Sequence, residues 1–222
     1  MPYLVIELLL ALPLACAVIT TIRRNQRGHL NQWLAQGVPL GCTLLCALLL
    51  FGASSNNWLW ALVAAFLLSI AGDMFLAYRT KDIHYVAGIS FFLLAHVGYL
   101  VYAVTRVPFS WLRFGIIAAL GLVFYFAILL PYSSLKTRPA MAVAVVVYMM
   151  ISCASLAASI DPASSIARWV FAAGIAALAA SDILIALRDF RGVAAVKAWV
   201  MPLYYLCHLL VITSVVIECS VH

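Results

Sequence analysis

The sequence predicts an all-α membrane protein with eight transmembrane helices, arranged as a parallel 4+4 internal repeat. Three observations carry this. The 222-residue chain is 67% hydrophobic and only 9% charged, whereas a soluble domain carries roughly 25% charged residues. It contains eight apolar runs of about 20 residues, the length that a helix needs to cross a bilayer. A short acidic pattern occurs twice, as AGDMFLAYR at 71–79 and ASDILIALR at 180–188.

The runs lie near residues 3–22, 33–53, 57–78, 84–105, 110–131, 140–160, 166–187 and 198–218. Helices suit this setting because they satisfy their backbone groups within their own segment, as lipid demands. The first run has no basic leader and is followed by Arg23, Arg24 and Arg27, so it reads as a retained helix and not a secretory signal. Only short loops separate the runs, so residues 1–222 form one transmembrane domain, with repeat halves near 1–107 and 108–222.

The net charge of +6 speaks to orientation and not to nucleic acid. The first, third, fifth and seventh runs end at loops near 23–31, 79–83, 132–139 and 188–197, which carry three, two, two and three Lys or Arg. The opposite side holds Arg106, Arg113 and Arg168. Positive loops stay cytoplasmic. Both termini are therefore expected outside, and the expected location is a bacterial plasma (inner) membrane. The six cysteines all fall in apolar runs without a CxxC pair, and they read as packing residues. No zinc-binding spacing is present, so neither a metal nor another cofactor is expected.

The repeated acids define the candidate site. Asp73 precedes Arg79 and Asp182 precedes Arg188 by the same interval, which puts each carboxylate about 9 Å above its basic residue on a helix. The following runs echo each other as FFLLAH, ending at His96, and LYYLCH, ending at His208. Ala65, Ser69 and Gly72 precede the first Asp, and Gly174, Ala177 and Ser181 precede the second. Small residues at this spacing let helices approach closely, which would bring both acids to the bundle core.

An Asp within a span costs roughly 2.5–3.5 kcal/mol on insertion scales. One explanation is interhelical bonding to Ser, His or Tyr. The other is chemistry. A buried carboxylate pair supplies one acid and one base side by side, and such a pair suits reactions through an oxocarbenium-like state. It also suits proton-coupled transport of a small or lipid-like substrate. His96 and His208 are candidates to bond the acids or a substrate phosphate, with packing as the alternative. Tyr85, Tyr99, Tyr204 and Tyr205 are candidates to line a polar pocket, and an interfacial anchor is the alternative for Tyr85. Glu7, His29, His84 and His222 receive no role.

Gly72–Asp73, then Gly88, Phe92, His96 and Tyr99, then Ser181–Asp182, then Tyr204–Tyr205 resemble the YhhN family over residues 38–213. Characterised members of that family are lysoplasmalogenases. The resemblance implies hydrolysis of the vinyl-ether bond of a lysoplasmalogen to a fatty aldehyde and a glycerophospho-base. It implies Asp73 and Asp182 as catalytic residues. It also implies a substrate site drawn from Gly72, Gly88, His96, Tyr99, Ser181, Tyr204 and Tyr205; the residues themselves add His208 as a candidate, and Arg79, Lys81, Arg188 and Arg191 as candidates to hold the phosphate, with positive-inside anchoring as the alternative. The expected partner is a lysophospholipid from the inner leaflet. The chain departs from the family pattern in two places. Val38 stands before Pro39 where the family often has Lys, and His208 stands where it often has Gln. An intramembrane aspartyl protease fits less well, because Ile70 and Ser181 break its GxGD and YD patterns.

Overall fold

The computed structural model describes residues 3–23, 29–52, 58–77, 82–131, 134–161 and 165–221. Among these it contains helices and no strand. Eight α-helices follow in order: α1 Tyr3–Ile22, α2 His29–Gly52, α3 Leu59–Ala77, α4 Asp82–Val104, α5 Trp111–Val123, α6 Pro139–Ser159, α7 Ile166–Arg191 and α8 Lys197–Val221. Each matches one of the eight apolar runs.

Six segments are long and apolar enough to cross a membrane: α3, most of α4, α5 with its extension to Leu129, α6, α7, and Ala194–Ser220, which holds most of α8. The described parts of α1 and α2 give shorter apolar stretches, Leu10–Ile22 and Gln36–Phe51.

Two boundaries differ from the sequence expectation. α7 runs a full turn past residue 187, through Arg188 to Arg191. It stops at Gly192, whose φ of 70° favours a residue without Cβ. There the Gly192 amide donates to the Arg188 carbonyl and the Val193 amide to the Leu187 carbonyl, both at 3.2 Å, closing the helix end. The expected 188–197 loop is therefore mostly helical, completed by a 3-10 turn at Ala194–Val196. The second difference is in α5. Ser110 caps its start, accepting from the Arg113 amide at 3.3 Å. Beyond Val123 the helix widens into a π turn over Phe124–Leu129. Such turns are frequent at functional sites.

Packing follows a regular scheme. α1 packs on α2, α2 on α3 and α3 on α4; four helices on, α5 packs on α6, α6 on α7 and α7 on α8. α4 packs on α6, and α8 on α2. Even individual bonds recur. Ser155 on α6 donates to the His96 carbonyl of α4 at 2.8 Å, and the Cys42 thiol on α2 donates to the His208 carbonyl of α8 at 3.6 Å.

The tightest pairs, α3–α4 and α7–α8, rest on small residues. A Cβ on Gly98 would lie 2.9 Å from the Ala61 carbonyl and the Ala65 methyl. A Cβ on Gly174 would lie 3.2 Å from the Cys207 carbonyl. Ala65, Ser69, Gly72, Gly174, Ala177 and Ser181 are all buried, as the small-residue pattern requires. These two pairs carry the acids and histidines into the bundle.

Candidate active site

Asp73 on α3 and Asp182 on α7 line one cavity of about 850 Å³. Asp182 is held from two sides. His96 Nε2 on α4 lies 2.8 Å from Oδ2, and the Tyr148 hydroxyl on α6 donates to Oδ1 at 3.1 Å. His96 is 1% exposed and backs the carboxylate from the protein side, while Tyr148 also lines the cavity. The two rings meet edge to face, with centroids 5.3 Å apart. A carboxylate only accepts, so His96 presents Nε2–H to it.

Asp73 is held differently. The Tyr204 hydroxyl on α8 donates to its Oδ2 at 2.8 Å. The Tyr204 ring is fixed edge-on against Phe92, at 5.8 Å between centroids. Phe92 in turn lies across Gly72, where a Cβ would come within 2.9 Å of the ring. Gly88 presses α4 onto the same turn of α3, because its Cβ would lie 2.8 Å from Leu76 and 3.2 Å from the Gly72 carbonyl. Gly72 and Gly88 thus position Asp73 through packing. Ser181 lines the cavity and donates to the Val200 carbonyl at 3.0 Å, tying α7 to α8 beside Asp182.

The cavity is graded along the helix axes. At one end lie Arg188, Asp189, Lys197 and Tyr85. Arg188 Nε donates to Asp189 Oδ1 at 2.7 Å, and the Tyr85 hydroxyl to Asp189 Oδ2 at 3.1 Å. The carboxylates follow. Beyond them the lining turns apolar at Ile117, Leu120, Cys153 and Leu156. From Met141 to Leu156, both in the lining, α6 rises about 22 Å.

Several sequence candidates lie elsewhere. Tyr99, Tyr205 and His208 are fully buried and outside the cavity lining. His208 Nδ1 donates to the Tyr204 carbonyl at 2.9 Å, and its ring packs on Phe66 and Tyr204. Arg191 turns to the Ile128 carbonyl of the π turn. Arg79 and Lys81 lie outside the described residues. Among the described residues no group of His, Cys, Asp and Glu is arranged to hold a metal ion.

Tyr148, Asp189, Lys197 and Gln36 also line the cavity, and the sequence does not single them out. For Tyr148 the available signal is one polar tip in the apolar run VVVYMM.

The YhhN family profile matches residues 8–215, nearly the whole chain. The chain belongs to the YhhN family. The match takes in both carboxylate helices and the cavity of this YhhN protein. No curated protein and no solved structure matches it.

Proposed function

We propose that this protein is a lysoplasmalogenase-like hydrolase that cleaves the vinyl-ether bond of a lysoplasmalogen. One observation carries the reading beyond family membership. Both carboxylates line one cavity, between an end that carries Arg188, Asp189 and Lys197 and an apolar end. A lysolipid has that same order: phosphate, ether just below it, then hydrocarbon. The cavity volume falls within the roughly 300–1,000 Å³ of small-molecule sites.

The two environments suggest the division of labour. Asp182, bonded at both oxygens, is the fixed carboxylate. Asp73, bonded to Tyr204 through one oxygen, is the general acid. Asp73 delivers its proton to the outer alkene carbon. The ether oxygen donates an electron pair, and an oxocarbenium ion forms. Asp182 stabilises this cation and accepts a proton from the attacking water. The resulting hemiacetal then collapses: Asp73 takes up the hydroxyl proton, the C–O bond to the glycerol breaks, and Asp182 gives its proton to the leaving oxygen, which releases the glycerophospho-base as the alcohol, leaves the fatty aldehyde and restores both carboxyl groups. Arg188 and Lys197 hold the phosphate, and Arg79 is a further candidate by sequence. His96, Tyr148, Ser181 and Tyr204 position the carboxylates. Tyr99, Tyr205 and His208 support them through packing.

Eight spans in a parallel 4+4 repeat complete the proposal, supported by the packing scheme that recurs four helices on. Basic loops would face the cytoplasm of a bacterial plasma membrane with both termini outside, and substrate would come from the inner leaflet. The test is aldehyde release from lysoplasmalogen by purified protein. Release from the vinyl ether and not from its saturated alkyl analogue is expected. A well-folded protein that releases none, yet drives proton-coupled uptake in proteoliposomes, would replace hydrolysis with transport.

A further inference from the structure

The packing scheme is broken at one place. α1 packs on α8, but the corresponding pair, α5 and α4, shares no extended interface. Within its span α5 is only 17% buried, against 50% for the span holding α8. The cavity reaches the surface here: Leu120 on α5 lines it and is nevertheless 66% exposed. Ile89 and Phe92 of α4 and Ile117 and Phe124 of α5 complete the walls. α5 is held against α6 at Gly121, where a Cβ would lie 3.2 Å from Cys153 Sγ and Met149 Sδ, and all three residues line the same cavity.

We propose that the α4–α5 gap is a lateral portal for the hydrocarbon tail of a single-chain polar lipid, whose headgroup sits at Arg188 and Lys197 and whose tail end projects past Leu120 into the bilayer. This rests on the lipid-hydrolase reading and adds where the substrate lies. Length argues for it. Beyond Tyr148 the cavity follows α6 to Leu156, a rise of about 12 Å. A long fatty chain is longer than this when extended, so its end needs an exit. Chemistry agrees, because the walls of the gap are apolar and a tail passing through them desolvates no polar group. The opposite end of the cavity is charged, which fixes the direction in which an amphiphile lies.

The test uses an alkyl-ether lysophosphoethanolamine, which is not hydrolysed, with a diazirine at the tail end. Full-length protein in lipid nanodiscs is irradiated and the labelled peptides are mapped. Labelling is expected on the α4 and α5 segments around Ile89, Ile117 and Leu120, and lost with excess unlabelled alkyl lysolipid. The same pattern is expected for Asp182→Asn. Leu120→Trp should diminish the competed labelling and raise KM for long-chain substrates. Competed labelling confined to other helices, or no competed labelling at all, would overturn the portal. Aldehyde release is scored separately. Portal labelling without aldehyde release removes the hydrolase reading alone, and aldehyde release with labelling elsewhere removes the portal alone.

Discussion

His96 on α4 and Asp182 on α7 meet at 2.8 Å through Nε2 and Oδ2, joining the first-half histidine to the second-half carboxylate. Tyr204 and Asp73 form the reverse crossing, a second-half tyrosine on a first-half carboxylate, also at 2.8 Å. Each acid therefore takes one bond from the opposite half of the chain, and Asp182 takes a second from Tyr148 of its own half.

The first prediction concerns this crossing. His96→Leu removes the buried partner of Asp182. A hydrogen bond to a charged group contributes about 1.5–3 kcal/mol, so kcat should fall roughly tenfold to a hundredfold. KM should change little, because His96 does not line the cavity. Steady-state aldehyde release checks this, and Tyr148→Phe should move kcat in the same direction. A loss confined to KM would place His96 in substrate binding.

Charge at the cavity end gives a second prediction. Arg188→Ala and Lys197→Ala should each raise KM about tenfold, while kcat holds, if they bind phosphate equally in the ground and transition states. Raised ionic strength should have the same effect more weakly, through screening. Binding of a non-hydrolysed alkyl lysolipid provides the direct check.

Packing between α3 and α4 gives the third. Gly88→Val forces a branched side chain against Leu76 and the Gly72 carbonyl. Overpacking of this kind costs about 1–3 kcal/mol. The melting temperature in detergent should fall. Gly115→Ala is the control, because a Cβ there meets nothing within 4 Å, and its stability should be unchanged or slightly raised.

His208 gives the fourth. It is buried off the cavity and donates to the Tyr204 carbonyl one turn back. His208→Leu should lower stability by about 1 kcal/mol, the net contribution of such a bond. Turnover per folded molecule should persist. Loss of turnover in a fully folded variant would bring His208 into the reaction.

Much of this architecture was legible in the sequence because lipid simplifies the code. Apolar length marked all eight helices, and the recurring Ala-small-Asp pattern marked both carboxylates. The missed features depend on three-dimensional convergence. Tyr148 has no echo in the repeat and sits in a run of valines and methionines, so nothing local ties it to Asp182, 34 residues away. The π turn at Phe124–Leu129 leaves the apolar pattern intact and is visible only in the shift of a hydrogen bond, Leu130 to Tyr125. His208 looked equivalent to His96, yet the contact with Asp73 passes to Tyr204 one turn earlier on α8. Histidines matched in sequence are thus placed differently because the two halves meet different partners.

The most direct test of the central claim is single-turnover aldehyde release by purified protein, with Asp73→Asn and Asp182→Asn assayed beside the parent. Asn preserves the shape and one accepting oxygen while removing the acid, and melting temperatures identify the variants that fold. General acid–base groups contribute typically about 10²–10⁴-fold, and each variant should lose rate on that scale. A parent that turns over while either folded variant retains its rate would contradict the two-carboxylate site.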